Sequence, residues 1–339
     1  MWFTLTSVAV DSESKSNLAN SPKDSNFVLR SLSMRLLASV VAISPLPLKA
    51  DDGSAEDLGV MSISLQDVVR PRFGLQGALQ GAGTPNEAGV GVFLPLSVKN
   101  KSVFFIDFLA NANFGDFNKY INKPADYTSS IINTTVSGTT ISTSTRLGYR
   151  VLSADNNWMY GINAGFDTRP MATAYADNGV DVTSSSTVFF RQGAVNIEAV
   201  SEKLYFGAYA LFPNGNTEPR LNSIYDGGAL LTYGANIGYA LSKDIVAKVG
   251  YYYQDGDLDS ADGLGVLGRL SYSVNSDLLA ALSITYDPAF ETSLTVGFVW
   301  RRALTSSSAG LGKRSIFWGN EMMRTPDNRN IRVHDCCYK

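Results

Sequence analysis

Histidine is almost missing from this 339-residue chain, with His334, close to the C-terminal end, the one example. That excludes a multi-histidine metal site. Cysteine is nearly as scarce: Cys336 and Cys337 are adjacent, so no disulfide framework can brace the body. Charged residues make up 17%, against about 25% in an ordinary soluble domain. No stretch reaches the ~18–20 apolar residues of a membrane-spanning helix, and mean hydropathy is −0.01. A polytopic helical membrane protein is thereby excluded. A net charge of −3 argues against nucleic acid as a partner. What is present is 45% hydrophobic residues with 30 Gly, 17 Phe and 16 Tyr. These show no helical stripe, which leaves β structure.

Residues 34–50 (MRLLASVVAISPLPLKA) set Arg30 and Arg35 before an apolar run and end at a plausible cleavage position, Ala50. The pattern fits a signal peptide, too short to cross a bilayer; a buried hydrophobic strand or helix is the alternative. Residues 1–33 are polar and aperiodic, and are expected to be a spurious extension, with translation starting at Met34. Residues 51–71 would be a periplasmic N-terminal segment.

From residue 72 to 302 the chain follows a period of two. In 158–167, Trp158, Tyr160, Ile162, Ala164 and Phe166 alternate with Met159, Gly161, Asn163, Gly165 and Asp167. A strand sends alternate side chains to opposite faces. One face is therefore apolar and the other small or polar. The same reading predicts twelve strands: 72–82, 88–98, 102–113, 140–151, 158–167, 188–200, 204–212, 229–241, 245–254, 264–274, 278–287 and 292–301. Most are longer than the usual five or six residues of a soluble strand and match the ~9–11 that a tilted strand needs to cross a bilayer. Short turns at 99–101, 153–157, 201–203, 242–244 and 275–277 alternate with connections that are mostly longer, as in an outer-membrane barrel. The expected fold is an all-β, twelve-stranded antiparallel transmembrane β-barrel with both termini periplasmic.

Charge follows the same division. Arg72, Asp107, Arg146, Arg150, Asp167, Glu198, Lys248 and Arg269 fall in the polar register and are expected to face the lumen. Arg191 is the exception, near a loop end. Trp158, Tyr160, Phe166, Tyr239, Tyr251, Tyr253, Tyr286 and Trp300 fall in the outward register, as an aromatic girdle would. Outer-membrane lipid and the barrel-assembly machinery are the expected partners, with small solutes possible in the lumen and no nucleic acid.

Chemical motifs are few. Gly263, Gly265 and Gly268 match a G-x-G-x-x-G spacing but run into an alternating strand, whereas dinucleotide binding needs a helix after them. His334, Asp335, Cys336 and Cys337 are poorly spaced for a tetrahedral metal site. Asp255, Asp257 and Asp259 lack the spacing of a calcium loop. A barrel hydrolase would need an imidazole beside its nucleophile, and no histidine precedes residue 303. No enzyme activity, cofactor or metal is expected.

The order of local patterns carries a resemblance. Residues 71–83 (PRFGLQGALQGAG) and 89–96 (GVGVFLPL) are followed by 102–116 (SVFFIDFLANANFGD), 146–152 (RLGYRVL), 157–168 (NWMYGINAGFDT) and 204–213 (LYFGAYALFP). Together they resemble the translocation barrel of the intimin/invasin group, the inverse autotransporters. The resemblance implies a twelve-stranded outer-membrane barrel acting as a pore or translocation barrel. It departs from that group after the last strand: residues 303–339 are too few for the ~100-residue Ig-like passenger and are expected to be a short disordered tail. The tail also carries Lys313, Arg314, Arg324, Arg329 and Arg332, which could place it inside the lumen. A porin-like diffusion channel and a structural barrel that only presents loops are the alternatives.

Overall fold

The computed structural model describes residues 70–80, 86–99, 101–114, 140–171, 184, 186–223, 225–256, 262–301 and 313–337. The expected N-terminal extension, signal peptide and most of the periplasmic segment lie outside the described residues, as do 115–139 and most of 172–185. So do Asp257 and Asp259.

Alternation builds the wall. Strand β4 (Thr140–Leu152) buries Ser144, Arg146, Gly148, Arg150 and Leu152, while Ile141, Thr143, Leu147 and Tyr149 lie exposed. The polar register therefore points inward and the apolar register outward, the reverse of a soluble protein. The other strands are β1 (Arg70–Gln80), β2 (Asn86–Lys99), β3 (Ser102–Phe114), β5 (Met159–Met171), β6 (Val188–Val200), β7 (Leu204–Asn214), β8 (Tyr225–Ala229), β9 (Leu231–Ala240), β10 (Ile245–Asp255), β11 (Gly263–Ser273), β12 (Leu278–Asp287), β13 (Glu291–Arg301) and β14 (Val333–Cys337). One helix, α1 (Lys313–Met322), lies between β13 and β14.

Twelve of these strands, β1–β7 and β9–β13, close into one antiparallel barrel. Closure runs through β1 and β13, where Phe73 opposes Trp300 and Arg72 opposes Arg301. No barrel strand keeps a free edge, so backbone N–H and C=O groups are paired around the ring, as a dry bilayer requires. Pro95 sits within β2 beside a register shift to Ser97, where a strand tolerates a residue without an N–H.

Short turns join β2–β3, β4–β5, β6–β7, β9–β10 and β11–β12 on one rim. In the β4–β5 turn Asp155 accepts from the Ser153 hydroxyl and from Asn157. Those bonds hold its carboxyl down at about 2.

Two sequence expectations need correction. The wall strand expected at 229–241 is β9, which starts only at Leu231. The chain leaves the barrel order after β7 and rejoins it at β9, and between them β8, a segment expected as a connection, pairs with β14 in a separate two-stranded sheet. Gly227, Gly228 and Ala229 are buried there, and their small size serves the close approach of β14. The tail is also not disordered over 313–337, because α1 buries apolar side chains and the following segment finds ionic partners inside the barrel.

The occupied lumen as candidate functional site

The barrel is filled by its own C-terminal segment. At the short-turn rim, Trp318, Met322 and Met323 pack with Phe93, Val103, Phe105, Leu152, Met159 and Val200. At the opposite rim, Ile331 and Val333 pack with Met171, Phe190, Leu221 and Ala229. Two apolar clusters thus hold the two ends of a segment that crosses the lumen. β13 ends at the short-turn rim, where the Arg301 N–H donates to the Asp277 carbonyl. α1 lies at that same rim, and the segment after it reaches the long-connection rim as β14.

Between the clusters the contacts are ionic. Arg329 meets Asp107 on β3, Arg324 meets Glu198 on β6 at 2.8 Å, Asp327 meets Lys248 on β10 at 2.8 Å, and Arg332 meets Asp287 on β12 at 2.6 Å. Wall residues also bind the tail backbone. Arg146 donates to the Asn328 carbonyl, Arg150 to those of Met322 and Arg324, and Arg169 to that of Ile331. Burying a charge is costly unless it is paired and hydrogen-bonded. Each of these groups meets an opposite charge or a carbonyl, so wall and tail compensate one another.

Glycine makes the lateral reach possible. Arg150 on β4, Gly161 on β5 and Glu198 on β6 are successive Cα partners. The arginine passes over the glycine to its carboxylate at 2.6 Å. A Cβ on Gly161 would come within 2.6 Å of Glu198 Oε1. Arg146 likewise opposes Gly165 and reaches Asp167 through two parallel bonds of 2.6 and 2.7 Å. Gln192 adds a third donor to Asp167.

Burial inside the plug sets the tail's own charges. For Asp327, desolvation pushes the carboxyl up, but Lys248, Arg324 and Arg269 together outweigh it and hold it well below the usual carboxylate range. Desolvation also lowers Arg329, to about 10, against the pull of Asp107.

Of the residues singled out by sequence, Asp107, Arg146, Arg150, Asp167, Glu198 and Lys248 meet in this network. Arg72 and Arg269 line a side cavity next to it. Tyr160, Phe166, Tyr239, Tyr251, Tyr286 and Trp300 are exposed on the outer face, and Trp158 and Tyr253 are half-buried. Outer aromatics meet in pairs: Phe73 with Trp300, Trp158 with Phe206 and Tyr233 with Tyr253. Sequence reasoning missed Asp287, Tyr252, Tyr205 and Asp327. Asp287 closes the predicted strand 278–287 in its polar register, and it accepts from Tyr252, Gln254 and Arg332. The acceptors facing Arg329 and Arg332 could have been sought among inward-register carboxylates, but no local spacing links them. Gly263, Gly265 and Gly268 open β11 with no helix after them.

No protein-family model matches the chain, and neither does any curated protein. Solved structures do resemble it. One, described under "Unveiling the Mechanism Behind the in-meso Crystallization of Membrane Proteins", aligns with a TM-score of 0.53 at 13% identity, over 79% of this chain and 99% of that one. The chain has the fold of an outer-membrane β-barrel. A KdgM porin aligns more loosely, with a TM-score of 0.36 at 9% identity over 68% of this chain and 98% of its own. Outer membrane phospholipase A from Escherichia coli gives 0.39 at 11% identity over 68% and 92%.

Proposed function

We propose that this chain is an outer-membrane translocation barrel of the intimin/invasin type. In this reading the segment after the last strand is led back through the lumen toward the long-connection rim. The observation that carries it is the path of the tail, which is anchored by α1 at the short-turn rim and by β14 at the other. A barrel that merely conducted solutes would gain nothing from a lumen crossed by charge pairs matched to its wall. The outer face supports membrane residence: Leu147, Tyr149, Ile162, Ile197, Leu282 and Ile284 are all exposed on it. Soluble monomers rarely leave apolar patches beyond a few hundred Å² uncovered. The short turns would face the periplasm, lipid would cover the apolar register, and the barrel-assembly machinery would insert the chain. The aromatic residues at the strand ends would sit at the lipid interfaces, and no catalytic role is proposed.

An epitope added after Lys339 tests this directly. Labelling of the epitope on intact cells supports passage to the surface. Labelling only after the outer membrane is opened overturns it. The porin-like alternative is tested by planar-bilayer conductance of the full chain and of a chain ending at residue 302. Stable conductance in the full chain favours a diffusion channel, and conductance gained only on truncation favours a plugged translocator. No conductance in either form leaves a structural barrel.

A further inference from the structure

The tail does not fill the lumen evenly. Beside it lies a cavity of about 320 Å³, bounded by the tail on one side and by β1–β3, β7, β9 and β11–β13 on the other. That volume lies within the ~300–1,000 Å³ of ordinary small-ligand pockets. It exists because the wall there is shallow: Ala281 and Gly297 are Cα partners on β12 and β13, and both line it together with Gly74.

The polar lining is unbalanced in one direction. Arg72 and Arg269 face the cavity, and among the described residues neither has a hydrogen bond or an ion pair. Four cations, Arg72, Arg269, Arg329 and Arg332, line the cavity against two carboxylates, Asp327 and Glu87, and those two also bond Lys248 and the Asn111 amide. Two further donors on the same lining, Gln76 Nε2 and Arg332 Nε, are buried without an acceptor. The buried side-chain atoms on this lining that lack a partner are therefore both donors. Leaving buried donors unmet costs about 1–3 kcal/mol each, and an anionic acceptor relieves that cost and meets the excess positive charge, where a cation would do neither.

We propose that this cavity binds a small oxyanion, a phosphate, sulfate or carboxylate, held by the Arg72 and Arg269 guanidinium groups with Gln76 as a third donor. Guanidinium presents paired N–H groups that match two oxygens of such a ligand. The inference is independent of translocation, since it needs only the closed barrel with its tail in place.

The test uses the full chain refolded in detergent, with folding of each variant checked by heat-modifiable gel migration. Inorganic phosphate and acetate are titrated calorimetrically at constant ionic strength. Saturable binding of phosphate or acetate is expected in the unsubstituted chain. Arg72→Gln with Arg269→Gln should weaken it by about tenfold or more, the effect of losing charged hydrogen bonds. Glu87→Gln, which removes a negative charge from the same lining, should tighten it. Absent binding, or equal binding in the arginine double variant, overturns the proposal. Equal weakening in the Glu87→Gln variant overturns it as well, because general disturbance of the lumen would then be the cause.

Discussion

Arg329 in the tail donates to Asp107 in β3, bridging 222 positions of sequence with both side chains almost wholly buried. The same arginine reaches the Ser144 hydroxyl on β4 and its own Pro326 carbonyl. The pair joins the plug to the wall near the middle of the lumen, between the apolar clusters at the two rims.

Removing one partner of a buried pair strands the other charge, at a cost of about 3–5 kcal/mol. Asp107→Asn is therefore expected to undock the tail without opening the barrel. Hydrogen exchange should rise across residues 313–337, while heat-modifiable migration stays normal. Unchanged protection of the tail would refute the assignment.

Arg150 tests geometry rather than charge. Its Nε serves Glu198 while Nη1 serves two tail carbonyls, a fork that a lysine cannot reproduce. Arg150→Lys keeps the charge and should still weaken tail docking by about 1.5–3 kcal/mol, the value of a hydrogen bond to a charged group. Proteolytic cleavage of the tail in the refolded protein should speed up accordingly.

The two glycines opposite the arginines should respond differently. At Gly161 a Cβ meets Glu198 Oε1 and the Cγ atoms of Glu198 and Arg150, side-chain rather than backbone atoms. Gly161→Ala should leave the barrel closed and loosen the tail, with an overpacking cost of about 1–3 kcal/mol. At Gly165 a Cβ would overlap the Thr145 carbonyl oxygen, a backbone atom of the neighbouring strand. Gly165→Ala should cost more and reduce the yield of heat-modifiable barrel.

Acid should release the plug. The Asp327 carboxyl is held below its unfolded value by Lys248, Arg324 and Arg269 against desolvation. A depressed native pKa contributes stability that is complete above the unfolded value, about 3.9. That contribution is lost as pH falls from there through the native value. Bilayer conductance of the full chain should therefore rise as pH is lowered below about 4, and Asp327→Asn should remove the Asp327 share of that pH dependence. A flat profile between neutral pH and pH 3 would contradict it.

The sequence by itself determined the wall. Period-two alternation assigns Arg146 and Arg150 to one face and Leu147 and Tyr149 to the other, because the pleat permits no third choice. The lengths of the segments and the alternating turns then follow from neighbouring residues, and all twelve wall strands are legible that way with shifts at their ends. What the reading missed is β8, which lies in a stretch read as a connection and is a strand only because β14 lies beside it. The contents of the lumen were decided only by tertiary structure. Asp107, Glu198, Lys248 and Asp287 show in sequence that charge points inward, but not whether water, one another or the tail receives it. Their partners at 324–332 come after the last strand, and no periodicity connects the two. Alternation is a property of adjacent residues, whereas the pairing of Arg329 with Asp107 exists only once the barrel has closed around the tail.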